Sequence, residues 1–147
     1  MAVRISGPPA GVRGARVDVA RLRRRAGALL AAVGRRGSEL SIALVDDAEM
    51  RDLNRTWRGR DRPTDVLSFS LLEGEGQAHR GTLLGDVVIS VQTAAAQAAR
   101  RHRALDDEVL RLLVHGLLHV LGHDHEREDE ARLMEAEERR LLRTVAS

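Results

Sequence analysis

Hydrophobic positions follow two periods along this chain, and each period predicts one kind of element. Short runs of apolar or alternating residues predict strands, whereas apolar residues three and four positions apart predict helices. The predicted strands cover residues 3–5, 39–45, 64–71 and 83–91, and the predicted helices cover 18–33, 47–59, 90–103, 106–121 and 128–143. Strands occupy the first two thirds and helices the end, so we expect an α+β fold with about five helices on a small, mixed, four-stranded sheet.

In two of the predicted helices the apolar residues lie on one face, and we expect that face to be buried. The second helix, which Asp46 or Asp47 is expected to cap, places three hydrophobic residues on one side: Met50, Leu53 and Trp57. The last helix is expected to turn four hydrophobic residues inward: Leu133, Met134, Leu141 and Leu142. Residues 73–81, by contrast, hold three glycines and almost no apolar side chains, which predicts a mobile loop.

Length and composition narrow the class of protein. The 147 residues fit a single domain over residues 1–147. There is no Cys, which excludes a disulfide framework, a thiolate metal site and a cysteine nucleophile. No apolar run approaches the roughly 18 residues of a membrane span, and the first residues lack a secretory signal pattern. We therefore expect a cytoplasmic protein that does not contact a membrane.

The basic residues are all Arg, although the net charge is only +2 and the sequence pI is about 10.6. Arg keeps its proton at any accessible pH, and its planar fork suits bidentate phosphate contacts. A genomic composition bias would explain the Arg usage equally well. The arginines cluster in residues 21–36, 51–62 and 100–103, whereas acidic residues dominate 124–138. This asymmetry indicates a basic surface apart from an acidic last helix, or simply solvated helix faces.

The candidate chemistry lies in residues 114–125. His115 and His119 are four apart on a predicted helix, so both imidazoles can reach one ion. Gly122 allows the chain to turn, and His125 can then fold back as a third ligand. Three histidines suit one Zn²⁺ per chain and leave a fourth position for water, whose pKa the metal lowers to near 7. The alternative is a set of ordinary helix histidines without a metal.

The spacing His-x3-His-x2-Gly-x2-His also occurs in metzincin proteases, where Glu follows the first His and acts as the general base. Gly116 holds that position here, so the sequence argues against a peptidase. His123 is expected to be a neighbour of the site rather than a ligand. Asp124 either orients a ligand imidazole or stabilises the turn.

Three sequence blocks together resemble the YbeY family of bacterial rRNA-maturation endoribonucleases. The blocks are HGLLHVLGHDH over residues 115–125, LNRTWRGRDRPTDVLSF over 53–69 and LGDVVIS over 84–90. The resemblance implies a single-strand-specific endoribonuclease acting in 16S rRNA 3′-end maturation and ribosome quality control. It further implies a zincin-related α+β fold and three histidines on one metal, usually zinc. The implied partners are 16S rRNA, the small ribosomal subunit and its assembly factors, with no organic cofactor.

The family's functionally important arginine, in an aromatic-Arg-Gly motif, maps onto Arg58. Its guanidinium could neutralise the scissile phosphate, and three neighbouring arginines could hold flanking phosphates: Arg55, Arg60 and Arg62. A solvated surface group is the alternative for Arg58. The chain departs from the family at Trp57, where Tyr is common, and at His123, where an aromatic residue is common. Neither departure affects an expected ligand.

The sequence leaves both the attacking group and the choice between functions open. The attacking group is either a zinc-bound hydroxide or the RNA 2′-hydroxyl beside the metal. Two rival functions also remain: a metallopeptidase, and a ribosome-associated RNA-binding factor whose zinc is structural. The peptidase needs a base that Gly116 cannot supply, and the binding factor predicts RNA binding without turnover.

Overall fold

The computed structural model describes residues 3–10, 12, 16–72 and 82–145. Across these residues the strands are β1 (Val3–Ser6), β2 (Glu39–Val45), β3 (Val66–Ser70) and β4 (Leu83–Ser90). The helices are α1 (Val19–Ala32), α2 (Asp47–Arg58), α3 (Val91–Arg100), α4 (Leu105–Val120) and α5 (Glu128–Thr144). None of these described helices is both long and apolar enough to cross a membrane.

The strands form one mixed sheet in the order β1-β2-β4-β3. β1, β2 and β4 run parallel, and β3 runs antiparallel to β4 with Ser68 opposite Val87. The predicted α+β fold, with five helices and a small mixed four-stranded sheet, is therefore confirmed. Because β3 is an edge strand, the backbone groups on its outer side are accessible to side chains of other elements.

Two apolar clusters cover the two faces of the sheet. In β4, Val87 and Ile89 belong to the main core and Val88 to the smaller cluster, because side chains alternate between faces along a strand. The main core contains the buried sides of α1 and α4, and the smaller cluster contains Met50 of α2. α4 and α2 therefore pack on opposite faces and reach the edge strand β3 from either side.

The predicted starts of α1 and α2 follow from side-chain capping. Asp18 Oδ1 accepts a hydrogen bond from the Arg21 N–H at 3.0 Å, and Asp46 Oδ1 accepts one from the Glu49 N–H at 2.8 Å. The first of the two candidate aspartates is thus the cap of α2. Gly59 ends α2 with a φ of 69°, a left-handed conformation that glycine adopts without a steric penalty.

The inward face predicted for the last helix is wrong at one position. Met134 and Leu141 are buried and Leu142 is half-buried, but Leu133 is 68% exposed. α5 packs along one side only, against α4 and α1. Leu133 precedes Met134 by one residue and so points about 100° away from the buried stripe. Hydrophobicity alone overestimated the width of that stripe.

Two smaller expectations differ from the structure, and a third is not tested by it. The third strand is shorter than predicted, since β3 covers five residues and not the whole of 64–71. Trp57 is 65% exposed, because the last turn of α2 reaches only the edge strand, where its ring meets Phe69 edge-on with centroids 6.1 Å apart. The predicted loop over residues 73–81 lies outside the described residues.

Candidate metal centre

His115 and His119 lie one turn apart on α4, on the same side of the helix. Their Nε2 atoms are 3.2 Å apart. Zinc holds imidazole nitrogens at about 2.0–2.1 Å, so two ligands of a tetrahedral site lie roughly 3.3–3.4 Å from each other. The observed distance fits two nitrogens that share one metal ion, which is the arrangement that the four-residue spacing predicts.

The chain turns back after α4, and the turn brings His125 to the same point. Gly122 has a φ of 99°, and its N–H donates to the His119 carbonyl oxygen at 3.0 Å. Asp124 Oδ1 accepts a hydrogen bond from the His125 N–H at 2.7 Å, a contact that stabilises the turn. One ring nitrogen from each of the three histidines lies within 4.8 Å of the other two. The three side chains could therefore hold a metal ion.

Hydrogen bonds on the far side of two rings fix their orientation. His115 Nδ1 lies 2.7 Å from Glu138 Oε1 on α5, and His119 Nδ1 lies 3.0 Å from the His123 carbonyl oxygen. A carboxylate or carbonyl oxygen accepts a hydrogen bond from Nδ1–H, so each Nε2 keeps its lone pair and directs it at the shared point. No local pattern in the sequence indicates Glu138, because it lies 23 residues from His115 on a helix that carries several other acidic residues.

The environment of His119 favours the form that binds metal. Burial lowers the pKa of His119, and the neighbouring His115 and His125 lower it further, while the carbonyl of His123 acts in the opposite direction. Only neutral imidazole has a lone pair for a metal ion. A lowered pKa therefore keeps His119 ready to coordinate at neutral pH.

Gly116 allows α4 to lie very close to the sheet. A Cβ atom at this position would be 2.7 Å from Val87 Cγ1 and 3.3 Å from Val66 Cγ2. Any larger residue would therefore push α4 away from β4 and β3. A glutamate at position 116, where metzincin proteases with this histidine spacing have their general base, would therefore clash with the sheet on this backbone.

The histidines open onto a cleft of about 530 Å³ between α4 and the edge strand β3. Its remaining lining residues come from the arginine block (residues 51–62), the segment that follows it, the edge strand and α4: Arg58, Thr64, Asp65, Val66, Leu67, Ser68, Ser70 and Gly116. Asp65 is the one acid among them, and its carboxylate is already bonded to the Val66 N–H at 2.8 Å and to Gln97 Nε2 at 3.2 Å. These bonds give Asp65 a structural role in shaping the wall.

Arg58, the last residue of α2, lies at the rim of the same cleft. Its Nη2 donates a hydrogen bond to the Ser68 carbonyl oxygen at 2.8 Å, and its guanidinium carbon lies 5.5 Å from the centre of the Phe69 ring. Among the described residues, no carboxylate forms an ion pair with it. Arg58 is exposed but held in place, and its other N–H groups remain available.

The three neighbouring arginines do not share one environment. Arg55 forms an ion pair with Asp52 at 3.1 Å, which makes it a poor candidate for binding phosphate. Arg60 and Arg62 instead line a second cavity beyond Arg58. His123 is half-buried, and only its backbone oxygen contacts a histidine of the group.

Comparisons with known proteins agree with this arrangement. The sequence model of the family described as Endoribonuclease YbeY matches residues 16–146. Endoribonuclease YbeY of Anaeromyxobacter sp. (strain Fw109-5) is 54% identical over 144 residues, which are 97% of this chain and 71% of that protein. Endoribonuclease YbeY of Anaeromyxobacter dehalogenans (strain 2CP-C) is 53% identical over 135 residues, which are 92% of this chain and 66% of that protein.

A solved structure shows a similar fold. The solution structure of TM1509 from Thermotoga maritima superposes with a TM-score of 0.66 at 26% sequence identity. The match covers 97% of this chain and 88% of that one. The family model covers the histidine segment, the arginine block and the strands β2, β3 and β4. The chain therefore belongs to the endoribonuclease YbeY family.

Proposed function

We propose that this protein is a zinc-dependent endoribonuclease that cuts single-stranded RNA and acts in 16S rRNA 3′-end maturation and ribosome quality control. One observation supports the chemistry best: the three histidines and Arg58 line the same cleft. The names of the relatives support RNA as the substrate. The ribosomal role, with the small subunit and its assembly factors as cytoplasmic partners, follows from the family resemblance.

The residues of the cleft have separate roles in the cleavage of a phosphodiester bond. His115 and His119 present Nε2 lone pairs because each Nδ1 is hydrogen-bonded on its far side, and His125 completes the set. A bound zinc ion supplies Lewis acidity and lowers the pKa of coordinated water to about 7. Arg58 uses its free N–H groups to neutralise the charge that builds on the phosphate oxygens. Water or the RNA 2′-hydroxyl is the attacking group.

Two features argue against the metallopeptidase alternative. Gly116 stands where the peptidase base would be, and the sheet leaves no room for a larger residue. An extended peptide commonly binds by pairing with the backbone of a sheet edge. Here the Arg58 guanidinium already occupies the outward carbonyl of Ser68 in the cleft. A peptide substrate would have to displace it, whereas a phosphate would accept its remaining donors.

The decisive experiment combines metal analysis with RNA cleavage by the full-length protein. We expect about one zinc per chain, cleavage of a single-stranded RNA but not of its duplex, and loss of both zinc and activity in His119→Ala. His123→Ala is the matched control, because this neighbouring side chain is outside the histidine group. Arg58→Gln should keep the metal and lower kcat by a hundredfold or so.

The outcomes separate the alternatives. Cleavage that survives removal of the metal by a chelator would refute the proposed site. Tight RNA binding that persists without metal, with no turnover by the metal-loaded protein, would favour an RNA-binding factor with a structural zinc. A 2′,3′-cyclic phosphate on the product would identify the 2′-hydroxyl as the attacking group. Extended 16S rRNA 3′ ends in cells that carry only His119→Ala would support the ribosomal role.

A further inference from the structure

A second cavity adjoins the metal cleft. It has a volume of about 290 Å³, and its lining residues belong to the end of α2 and the segment that follows: Asn54, Arg58, Arg60, Arg62, Thr64 and Leu67. Arg58, Thr64 and Leu67 line the metal cleft as well. The two spaces are therefore neighbours around Arg58, and an extended chain that passes Arg58 can enter both.

The ion pairs of the arginine block leave this second cavity with unneutralised positive charge. Arg51 binds Asp61 through Nε at 2.8 Å and Nη2 at 3.0 Å, and Arg55 binds Asp52. Among the residues that the structure describes, none of those lining the cavity is acidic. Within the described residues, neither Arg60 nor Arg62 forms an ion pair. Asp61, which lies between these two arginines in the sequence, is thus already bound by Arg51 of α2.

The segment that carries the two arginines is fixed by Asn54, which is buried. The Asn54 carbonyl oxygen accepts a hydrogen bond from the Arg60 N–H at 3.3 Å, and its Nδ2 donates to the Arg62 carbonyl oxygen at 2.8 Å. Gly59 supplies the left-handed turn that makes both contacts reachable from α2. Bonding at both ends presets the backbone, so a ligand need not order it.

We propose that this cavity binds a second phosphate of the RNA strand whose scissile phosphate lies beside Arg58, through Arg60 and Arg62. The choice of RNA rests on the proposed function. Guanidinium groups without acid partners bind phosphate oxygens through charge-assisted hydrogen bonds. Because the cavity continues from the cleft, one strand can supply both phosphates. The cavity then acts as a subsite that positions the strand and increases the binding affinity of longer substrates.

The test is an RNA-binding measurement by fluorescence anisotropy on the full-length His119→Ala protein, which we expect to bind RNA without cleaving it. An oligouridylate series from the dinucleotide upward is titrated against this protein and against the same protein with Arg60→Gln and Arg62→Gln added. We expect the longer oligonucleotides to bind about tenfold more weakly after the double change, since an exposed charge pair is worth roughly two- to fivefold. The salt slope of log Kd should fall by about 0.7 for each lost phosphate contact. The shortest oligonucleotide should bind equally to both.

Two controls isolate the cavity from general charge. Arg100→Gln with Arg103→Gln removes the same charge from exposed residues that line neither space. Arg55→Gln removes an arginine of the same block that already has a partner. Both should leave the length dependence unchanged. Circular dichroism melting should show that the Arg60→Gln and Arg62→Gln protein remains folded, because both side chains are exposed.

Each outcome decides the proposal. It is overturned if the Arg100 and Arg103 control weakens long oligonucleotides as much, or if no length step depends on Arg60 and Arg62. It is also overturned if uridine monophosphate loses as much affinity as the long strands, which would make the cavity a free-nucleotide site. An arginine-dependent length step in a protein whose wild type cuts no RNA would uphold the subsite and refute the proposed cleavage.

Discussion

The two walls of the cleft are built by different physical means. The histidine wall, formed by the side of α4 that carries His115 and His119, rests on the main core. Leu113 and Leu117, which flank His115 on α4, are fully buried, and Gly116 brings the helix against the sheet. The arginine wall, formed by the end of α2 and the segment up to Arg62, rests on the small cluster that contains Met50. Its functional segment is held by polar contacts, through Asn54, the Arg51 ion pair and the bond from Arg58 to the edge strand.

This difference separates the energetics of the two walls. Because the ligand geometry depends on core packing, changes beneath the histidines should lower the free energy of unfolding and the metal affinity together. Changes in the arginine wall should alter RNA binding with little loss of stability, since its side chains are exposed and its contacts local. A rigid histidine wall and an independently variable arginine wall would let proteins of this fold keep the same metal ligands while their contacts with the substrate change.

Truncation of a buried leucine should show the largest contrast. Leu117→Ala, beneath the histidines, is expected to lower the free energy of unfolding by about 2–5 kcal/mol, because it removes a fully buried side chain and leaves a cavity. Leu53→Ala, on the half-buried face of α2, should cost about 1 kcal/mol. Urea denaturation measures both. Equal losses would mean that the small cluster contributes as much as the main core.

The close approach at Gly116 gives the next largest effect. Gly116→Ala places a Cβ atom 2.7 Å from Val87 Cγ1, and the resulting overpacking should cost about 1–3 kcal/mol. Gly27→Ala is the control: this glycine also lies within a helix, α1, but its Cβ would meet no atom within 4 Å. The control should stabilise by about 0.5–1 kcal/mol through helix propensity. Stabilisation by both changes would contradict the proposed packing role of Gly116.

Glu138 connects α5 to the histidine wall and should affect metal affinity more than stability. Glu138→Gln keeps the shape but weakens the bond that orients His115, so zinc affinity should fall by about 10–100-fold. Competition with a chromophoric chelator measures this. Glu135→Gln, an exposed change one turn earlier on the same helix, should leave the affinity unchanged. A similar loss in both variants would show a charge effect of the helix and not a role for Glu138.

The sequence predicted those parts of the molecule that local patterns determine. Strand and helix positions follow from hydrophobic period, caps follow from Asp18 and Asp46, and the meeting of the three histidines follows from their spacing and Gly122. In each case the interacting groups lie within about one helical turn or one tight turn of each other, so a short window contains the whole interaction.

What the sequence missed depends on contacts between distant segments. Glu138 reaches His115 only because α5 folds back along α4, and Arg58 meets Ser68 only because β3 lies at the sheet edge. The sequence pattern predicts Leu133 inward, which is wrong, because hydrophobicity does not reveal how many sides of a helix are covered. Pairings of arginine with acid are likewise decided by side-chain positions, so Arg55 could not be told apart from Arg60 in the sequence.

The smallest expected effect is a pH dependence that belongs to the histidine wall alone. Burial lowers the pKa of His119 below its ordinary value of 6.5. Below pH 6.5 the unfolded chain therefore binds more protons at this residue than the folded chain does, so acid lowers the free energy of unfolding. In metal-free protein, urea midpoints between about pH 7.5 and about pH 5 should fall less for His119→Gln than for wild type. Arg58→Gln should keep the wild-type slope, because arginine does not titrate in this range. Equal slopes for wild type and His119→Gln would show that burial does not penalise the charged ring, and that the histidine wall is as open to solvent as the arginine wall.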